Sequence, residues 1–182
     1  FGSNAHELIV INQFVAGGGM KKGFSRIVRK ENGEWTFPEA LSINNYHNSG
    51  ADVNMTMSQD GKVMSISMER EDAIGRSDLY ISYRQGKTWT SPKNLGPGVN
   101  SLWREATPHL SEDGSTLYFS SDRGMQSAGG SDIFVQYRLE EGWEKWSAPQ
   151  RFRSPVNSAA HDSHPYFNAA TGHLYFNSTR DG

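Results

Sequence analysis

Apolar residues along the chain fall in short tracts separated by Gly, Pro and Asp-Gly punctuation, and no tract sustains a helical period over a useful length. Leu117-Tyr-Phe-Ser-Ser121 and Asp132-Ile-Phe-Val-Gln-Tyr137 are rich in the β-branched and aromatic residues that suit a pleated surface. Asp60-Gly61 and Asp113-Gly114 read as two-residue turns, because Gly accepts positive φ without steric cost. These tracts repeat. Trp-x-x-Pro-x-x-(Leu/Phe) occurs at Trp35, Trp89 and Trp146, spaced 54 and 57 residues apart. In phase with it, Ser58-Gln-Asp-Gly61 answers to Ser111-Glu-Asp-Gly114 and, more loosely, to Asn168-Ala-Ala-Thr-Gly172. Residues 63–67, 117–121 and 174–178 follow these turns, and 8–12 is the same element in an earlier copy. Gly75-Arg-Ser-Asp78 matches Gly130-Ser-Asp132, and Gly23-Phe-Ser-Arg26 reads as the first copy, with Arg26 at the Asp78 and Asp132 place.

Within the third unit the pattern predicts strands over 106–110, 116–121, 131–138 and 146–152. Four short antiparallel strands recurring at this period predict an all-β chain, a β-propeller built of four-stranded antiparallel blades. The units are expected at 1–50, 51–104, 105–160 and 161–182, the first lacking its opening strand and the last stopping after its second. That makes about three and a half blades, against roughly 4–8 in a closed propeller. An arc leaves the faces of its end blades unburied. The chain is therefore expected to be a single propeller segment of a longer polypeptide. A small ring closed by its incomplete ends, or by oligomerisation, is the alternative.

Composition narrows the chemistry. With 18 Lys+Arg against 20 Asp+Glu, the charge argues against a general nucleic-acid-binding surface. Zero Cys removes disulfides, thiolate nucleophiles, zinc ribbons and iron–sulfur clusters together. The apolar runs are too short for a membrane-spanning segment, and the opening Phe-Gly-Ser-Asn has none of the features of a signal peptide.

The unit from Pro108-His-Leu-Ser-Glu-Asp-Gly to Leu117-Tyr-Phe-Ser-Ser-Asp-Arg123, followed by Gly129-Gly-Ser-Asp-Ile-Phe134, resembles the TolB-type, WD-like propeller repeat. The closing Trp-Ser-x-Pro-x-x-φ with Val99-Asn100 and Val156-Asn157 (φ here an apolar residue) is similar to blades of bacterial envelope proteins that end in an OmpA-like, peptidoglycan-binding domain. The resemblance implies a noncatalytic scaffold in the periplasm or at the outer membrane, in some cases within secretion assemblies. Its implied partners are other envelope proteins, with cell-wall glycan reached only through a domain absent from these residues. It implies no cofactor.

Several candidate site residues recur in phase with the units. Asp52, Glu105 and Asp162 each stand three residues before the Met55, Pro108 and Pro165 position, at the expected start of each innermost strand. A ring of carboxylates there would take a cation or a basic ligand. Their recurrence in every unit instead favours turn hydrogen bonds in the inter-blade connection. Asp78 and Asp132 invite strand-entry hydrogen bonds rather than calcium ligation, and Gly61 and Gly114 a purely structural role. Trp35, Trp89 and Trp146 are expected to pack between blades rather than to stack on sugars. His161-Asp-Ser-His164 reads as surface histidines, not a metal site. Ala16-Gly-Gly-Gly-Met-Lys-Lys-Gly23 lacks the Gly-Lys-Ser/Thr ending of a phosphate loop.

The tract Ser82-Tyr-Arg-Gln-Gly-Lys-Thr-Trp89 is similar to the Asp-box of sialidase propellers but carries Arg84 where that motif has Asp. A carbohydrate-active propeller, sialidase-like or lectin, is therefore the rival reading, and a regulatory propeller of a peptidase the third. No catalytic set is assigned.

Overall fold

The computed structural model describes residues 6–15, 17–124 and 130–181. Ala16 and the centre of the long connection expected at 122–130 lie outside them. The chain is all-β. The first sheet holds β1 (Glu7–Phe14), β2 (Met20–Val28) and β3 (Glu39–Ala40), and β4 (Ser42–Ile43) leaves it to lie parallel to the edge of the next. The second comprises β5 (Asn54–Met57), β6 (Val63–Met68), β7 (Asp78–Gln85), β8 (Thr88–Trp89) and β9 (Lys93–Asn94). The third runs in chain order through β10 (Glu105–Leu110), β11 (Thr116–Ser121), β12 (Asp132–Tyr137) and β13 (Gln150–Arg151). The last is the hairpin of β14 (Asp162–Asn168) and β15 (His173–Ser178).

The innermost strands meet edge to edge. Leu110 N donates to Thr56 Oγ1 at 3.3 Å, and His164 N to Thr107 Oγ1 at 3.1 Å, tying β5 to β10 and β10 to β14. Meandering sheets converging on their first strands define a partial β-propeller.

Two cores lie between the sheets rather than within them. Phe24 and Leu41 of the first sheet pack on Met64, Ile66, Met68, Tyr80 and Trp89 of the second. Val63, Leu79 and Ile81 of the second pack on Leu117, Phe119, Phe134 and Trp146 of the third. Each tryptophan thus faces the blade before its own. Trp89 and Trp146 are buried. Trp35 is 41% exposed, a correction to the expectation of inter-blade packing: no described blade precedes it.

Pairing also corrects two alignments. Ser25 pairs with Ala40, five residues after Trp35, as Tyr80 pairs with Asn94 and Phe134 with Arg151. Gly23, not Arg26, therefore stands where Asp78 and Asp132 stand. Met64, not Val63, corresponds to Leu117, since both belong to the face that packs on the preceding blade. The fourth strands are shorter than expected. Trp146 joins Arg138 by an isolated bridge, and pairing resumes only at β13, after Pro149, which has no N–H to donate.

The Asp-Gly turns are longer than two residues. Ser58 N donates to Val63 O, Gly61 N to Ser58 O, and Gly61 takes φ of 67°. Asp60 accepts from Ser58 Oγ and Lys62 N, as Asp113 accepts from Ser111 Oγ and Ser115 N. These bonds, the serine hydroxyl's first, hold both carboxylates below their usual range. Gly114, at φ of 65°, also lies under Trp143, whose ring a Cβ would meet at 2.5 Å.

Truncating Trp89 to Ala is expected to cost about 3–5 kcal/mol in urea unfolding of the whole chain. Trp35→Ala is expected to cost about half as much, on the order of 2 kcal/mol, because its ring buries less.

Candidate functional site

Pro108 and Pro165 decide the geometry of the inner strands. Neither can donate to a ladder, and each sits in a bulge: the registers of β10 and β14 shift between Ala106 and His109 and between Ser163 and Tyr166. The residues ahead of them, Thr107 and His164, adopt left-handed φ of 47° and 54°. For β-branched Thr107 this is a strained conformation, costing on the order of 1–3 kcal/mol. The extra residue brings Glu105 opposite Ser121 and Asp162 opposite Ser178.

There each carboxylate is fully buried and held by the same circuit. Glu105 accepts from Ser101 N at 2.9 Å, Ser101 Oγ at 2.6 Å and Ser121 Oγ at 2.8 Å, and pairs with Arg123 at 2.8 Å. Asp162 accepts from Ser158 N at 2.7 Å and Ser158 Oγ at 2.8 Å, and pairs with Arg180 at 2.7 Å. The arginines reach on to the connection before the strand: Arg123 to Val99 O, Arg180 to Pro155 O and Val156 O. For Asp162, burial opposes ionisation. Hydrogen bonds from Ser178, Arg180 and Ser158 outweigh it and hold the carboxyl below its usual range.

The second unit departs from this. Met55 stands in the proline position, Asn54 pairs regularly with Ser67, and there is no bulge. Asp52 stays outside the strand with its side chain 76% exposed and meets Arg104 of the next connection at 3.3 Å. Arg70, 18 residues after Asp52 as Arg180 is after Asp162, turns to Asp72 instead. The three phased acids therefore do not form a ring facing a channel.

The other predicted positions are structural in their contacts. Asp78 accepts from Ile74 N, Gly75 N and Asn94 Nδ2, closing the entry to β7, and Asp132 pairs with Arg151 at 2.7 Å. His161 Nδ1 accepts from Ser131 N at 3.2 Å. Lys22 of the glycine-rich tract gives its ammonium to three carbonyls, those of Asn48, Ser49 and Gly50. Arg84 closes its own turn on Gly86 O.

Asn100 and Asn157 were visible as part of a resemblance, but their work was not. Each side-chain amide pairs with a backbone residue of the third strand as a further strand would. Asn100 binds Leu79 N and O, and Asn157 binds Ile133 N and O, at 2.8–3.0 Å.

What remains open lies along the inner strands. A groove of about 360 Å³ runs between β5, β10 and β14, lined by Met55, Met57, Pro108, His109, His164 and Tyr166. A second, of about 450 Å³, shares Thr107 and His164 and adds Asp52, Arg104 and His161. Burial holds His109 below its usual range, against the opposing hydrogen bond to Phe167 O. Burial, with His161 and Arg104 adding to it, does the same to His164. Both rings are neutral near pH 7, so the first groove offers thioether, aromatic and uncharged hydrogen-bonding groups beside the Glu112 carboxylate. Among the described residues no group of three or more His, Cys, Asp or Glu is placed to hold a metal ion.

The fold defines the chain as a partial β-propeller with open grooves along its inner strands. A solved structure from Agrobacterium tumefaciens, provisionally assigned as TolB, is similar with TM-score 0.44 and 18% identity, over 94% of this chain and 70% of that one. No protein-family model and no curated protein matches the sequence.

Glu105→Gln is expected to cost about 3–5 kcal/mol, because it leaves Arg123 half-buried without its counter-charge. The double variant Glu105→Gln/Arg123→Met is expected to recover part of that loss in the same urea titration. Asp162, with its pKa lowered on folding, contributes stability above the ordinary carboxylate value near 4 that is lost as pH falls below it. Asp162→Asn is expected to flatten the fall in melting temperature as pH drops below about 4.

Proposed function

We propose that this chain is a noncatalytic, protein-binding segment of a bacterial envelope propeller, working in the periplasm or against the outer membrane, and that it engages an envelope protein through the groove along its inner strands. The observation that carries this reading is the disposition of charge. The recurring acids Glu105 and Asp162 are consumed in buried ion pairs, while the accessible inner-strand groove is lined mainly by uncharged groups, Met55, Met57, His109 and Tyr166 among them, with Glu112 its one carboxylate. Methionines give such a surface an adaptable apolar lining, and histidines and backbone at the bulges supply directional polar groups. The sequence resemblance to the TolB-type repeat of OmpA-family envelope proteins supports the compartment and the scaffold role. No helix of the described residues is long and apolar enough to cross a membrane.

The test is photo-crosslinking of the full-length protein, exported to the periplasm with a benzophenone amino acid at Met57. One discrete envelope-protein adduct is expected, lost when Tyr166→Arg fills the groove. Absence of any adduct, or an adduct indifferent to Tyr166→Arg, counts against the groove. Turnover of aryl glycosides, abolished by one carboxylate substitution, would replace this reading with the carbohydrate-active one.

A further inference from the structure

The residue just ahead of each phased acid is basic in two units, Arg104 before Glu105 and His161 before Asp162. The second unit has Ala51 at that place, so entry to the inner strand does not require a cationic side chain. Arg104 and His161 line the cavity of about 450 Å³ together with His164. The acids that follow them do not answer these groups, because Glu105 is engaged by Arg123 and Asp162 by Arg180. Among the described residues lining the cavity, Arg104 is the one permanent cation and Asp52 the one carboxylate.

The two imidazoles add donors. His161 Nδ1 accepts from Ser131 N at 3.2 Å, so the proton of the neutral ring sits on Nε2. That Nε2–H has no hydrogen-bond acceptor among the described residues. The His164 backbone is pinned at φ of 54° by its N–H on Thr107 Oγ1, and its Nδ1 meets Ser163 Oγ at 3.0 Å. Its Nε2 is left for the cavity. His161 and Arg104 both oppose a charge on His164, which places the three groups within one another's field. An anion among them relieves that opposition.

Asp52 shows what class of group the guanidinium takes. Its Oδ2 lies 3.3 Å from Arg104 Nη2, yet its side chain is 76% exposed and belongs to no strand. Such exposed pairs contribute little and exchange readily. The tethered carboxylate is a loosely held stand-in. We infer that this cavity binds an oxyanion, a carboxylate or a phosphate, on Arg104, His161 and His164, and that the anion displaces Asp52. The guanidinium supplies a charge-assisted hydrogen bond, and the imidazoles complete the shell. An anion favours charged His164, so binding takes up a proton and tightens as pH falls through about 6.5. The other charged and titratable groups nearby are His109 and Glu112 of the adjoining groove and the two buried acids with their arginines. This site lies beside the protein-binding groove and is independent of the envelope reading.

The test is titration of the full chain with sodium phosphate and, separately, sodium acetate at constant ionic strength, followed by the ring Cε1–H signals of His161 and His164 in NMR. Saturable shifts of both rings are expected, with the His164 titration midpoint raised at saturating anion. Arg104→Met is expected to weaken the apparent affinity about tenfold or more, with an unchanged thermal melt. Asp52→Asn removes the competitor and is expected to strengthen it about two- to fivefold. This second variant decides the matter if Arg104→Met fails to fold. Tighter phosphate binding supports a phosphorylated ligand, and tighter acetate binding a carboxylate-bearing one. Absence of saturable shifts up to about 0.1 M of either anion overturns the inference. So does binding unchanged by Arg104→Met, or binding weakened by Asp52→Asn.

Discussion

A buried carboxylate joined to an arginine 18 residues further along the chain holds the third and fourth blades to the connections that precede them. The pair works only because a serine in the connection supplies two more donors and the arginine spends its other N–H groups on connection carbonyls. An ion pair taken out of water is costly unless its remaining hydrogen-bonding capacity is filled. Here it is filled by the chain's own inter-blade link, so ionic pairing and blade docking are a single event. The apolar cores between blades supply the bulk attraction, and the ion-pair circuit fixes which residue meets which.

That circuit rests on proline. A residue without an N–H interrupts the inner ladder at Pro108 and Pro165, the bulge absorbs the interruption, and the one-residue shift delivers the acid to its arginine. Where Met55 replaces proline the ladder is unbroken and Asp52 is left in solvent, though the sequence spacing to Arg70 is unchanged. The strained Thr107 and His164 line the grooves beside the same bulges. Geometry that secures the blade thus also shapes the surface offered to a partner.

The blades were legible in the sequence because several cues recur in one order: the tryptophan–proline closure, the Ser-x-Asp-Gly turn and the aromatic strand between them. The acids were legible as a phased set, but their fate was not. Spacing alone is identical in the unit that forms the pair and in the unit that does not, and the difference lies in a backbone bulge. Arg26 follows Gly23 at the spacing of Asp78 after Gly75, but strand pairing puts Gly23 at the Asp78 position and Met20 at that of Gly75, so the matching spacing misleads. The role of Asn100 and Asn157 was hidden for another reason: a side chain imitating a strand leaves no periodicity to read. Trp35 shares its motif with Trp89 and Trp146 but not their burial, which depends on a neighbour that the motif cannot encode.

Asn100 completes the second sheet by pairing with Leu79, yet it lies just ahead of Ser101, which belongs to the circuit of the third. Two adjacent residues therefore serve two different blades. A blade excised or transplanted at the strand boundary would carry away its own serine or forfeit its neighbour's asparagine. The exchangeable module of this architecture is consequently not the sheet. It runs from one Asn-Ser step to the next, and recombination that respects that seam would conserve both joints at once.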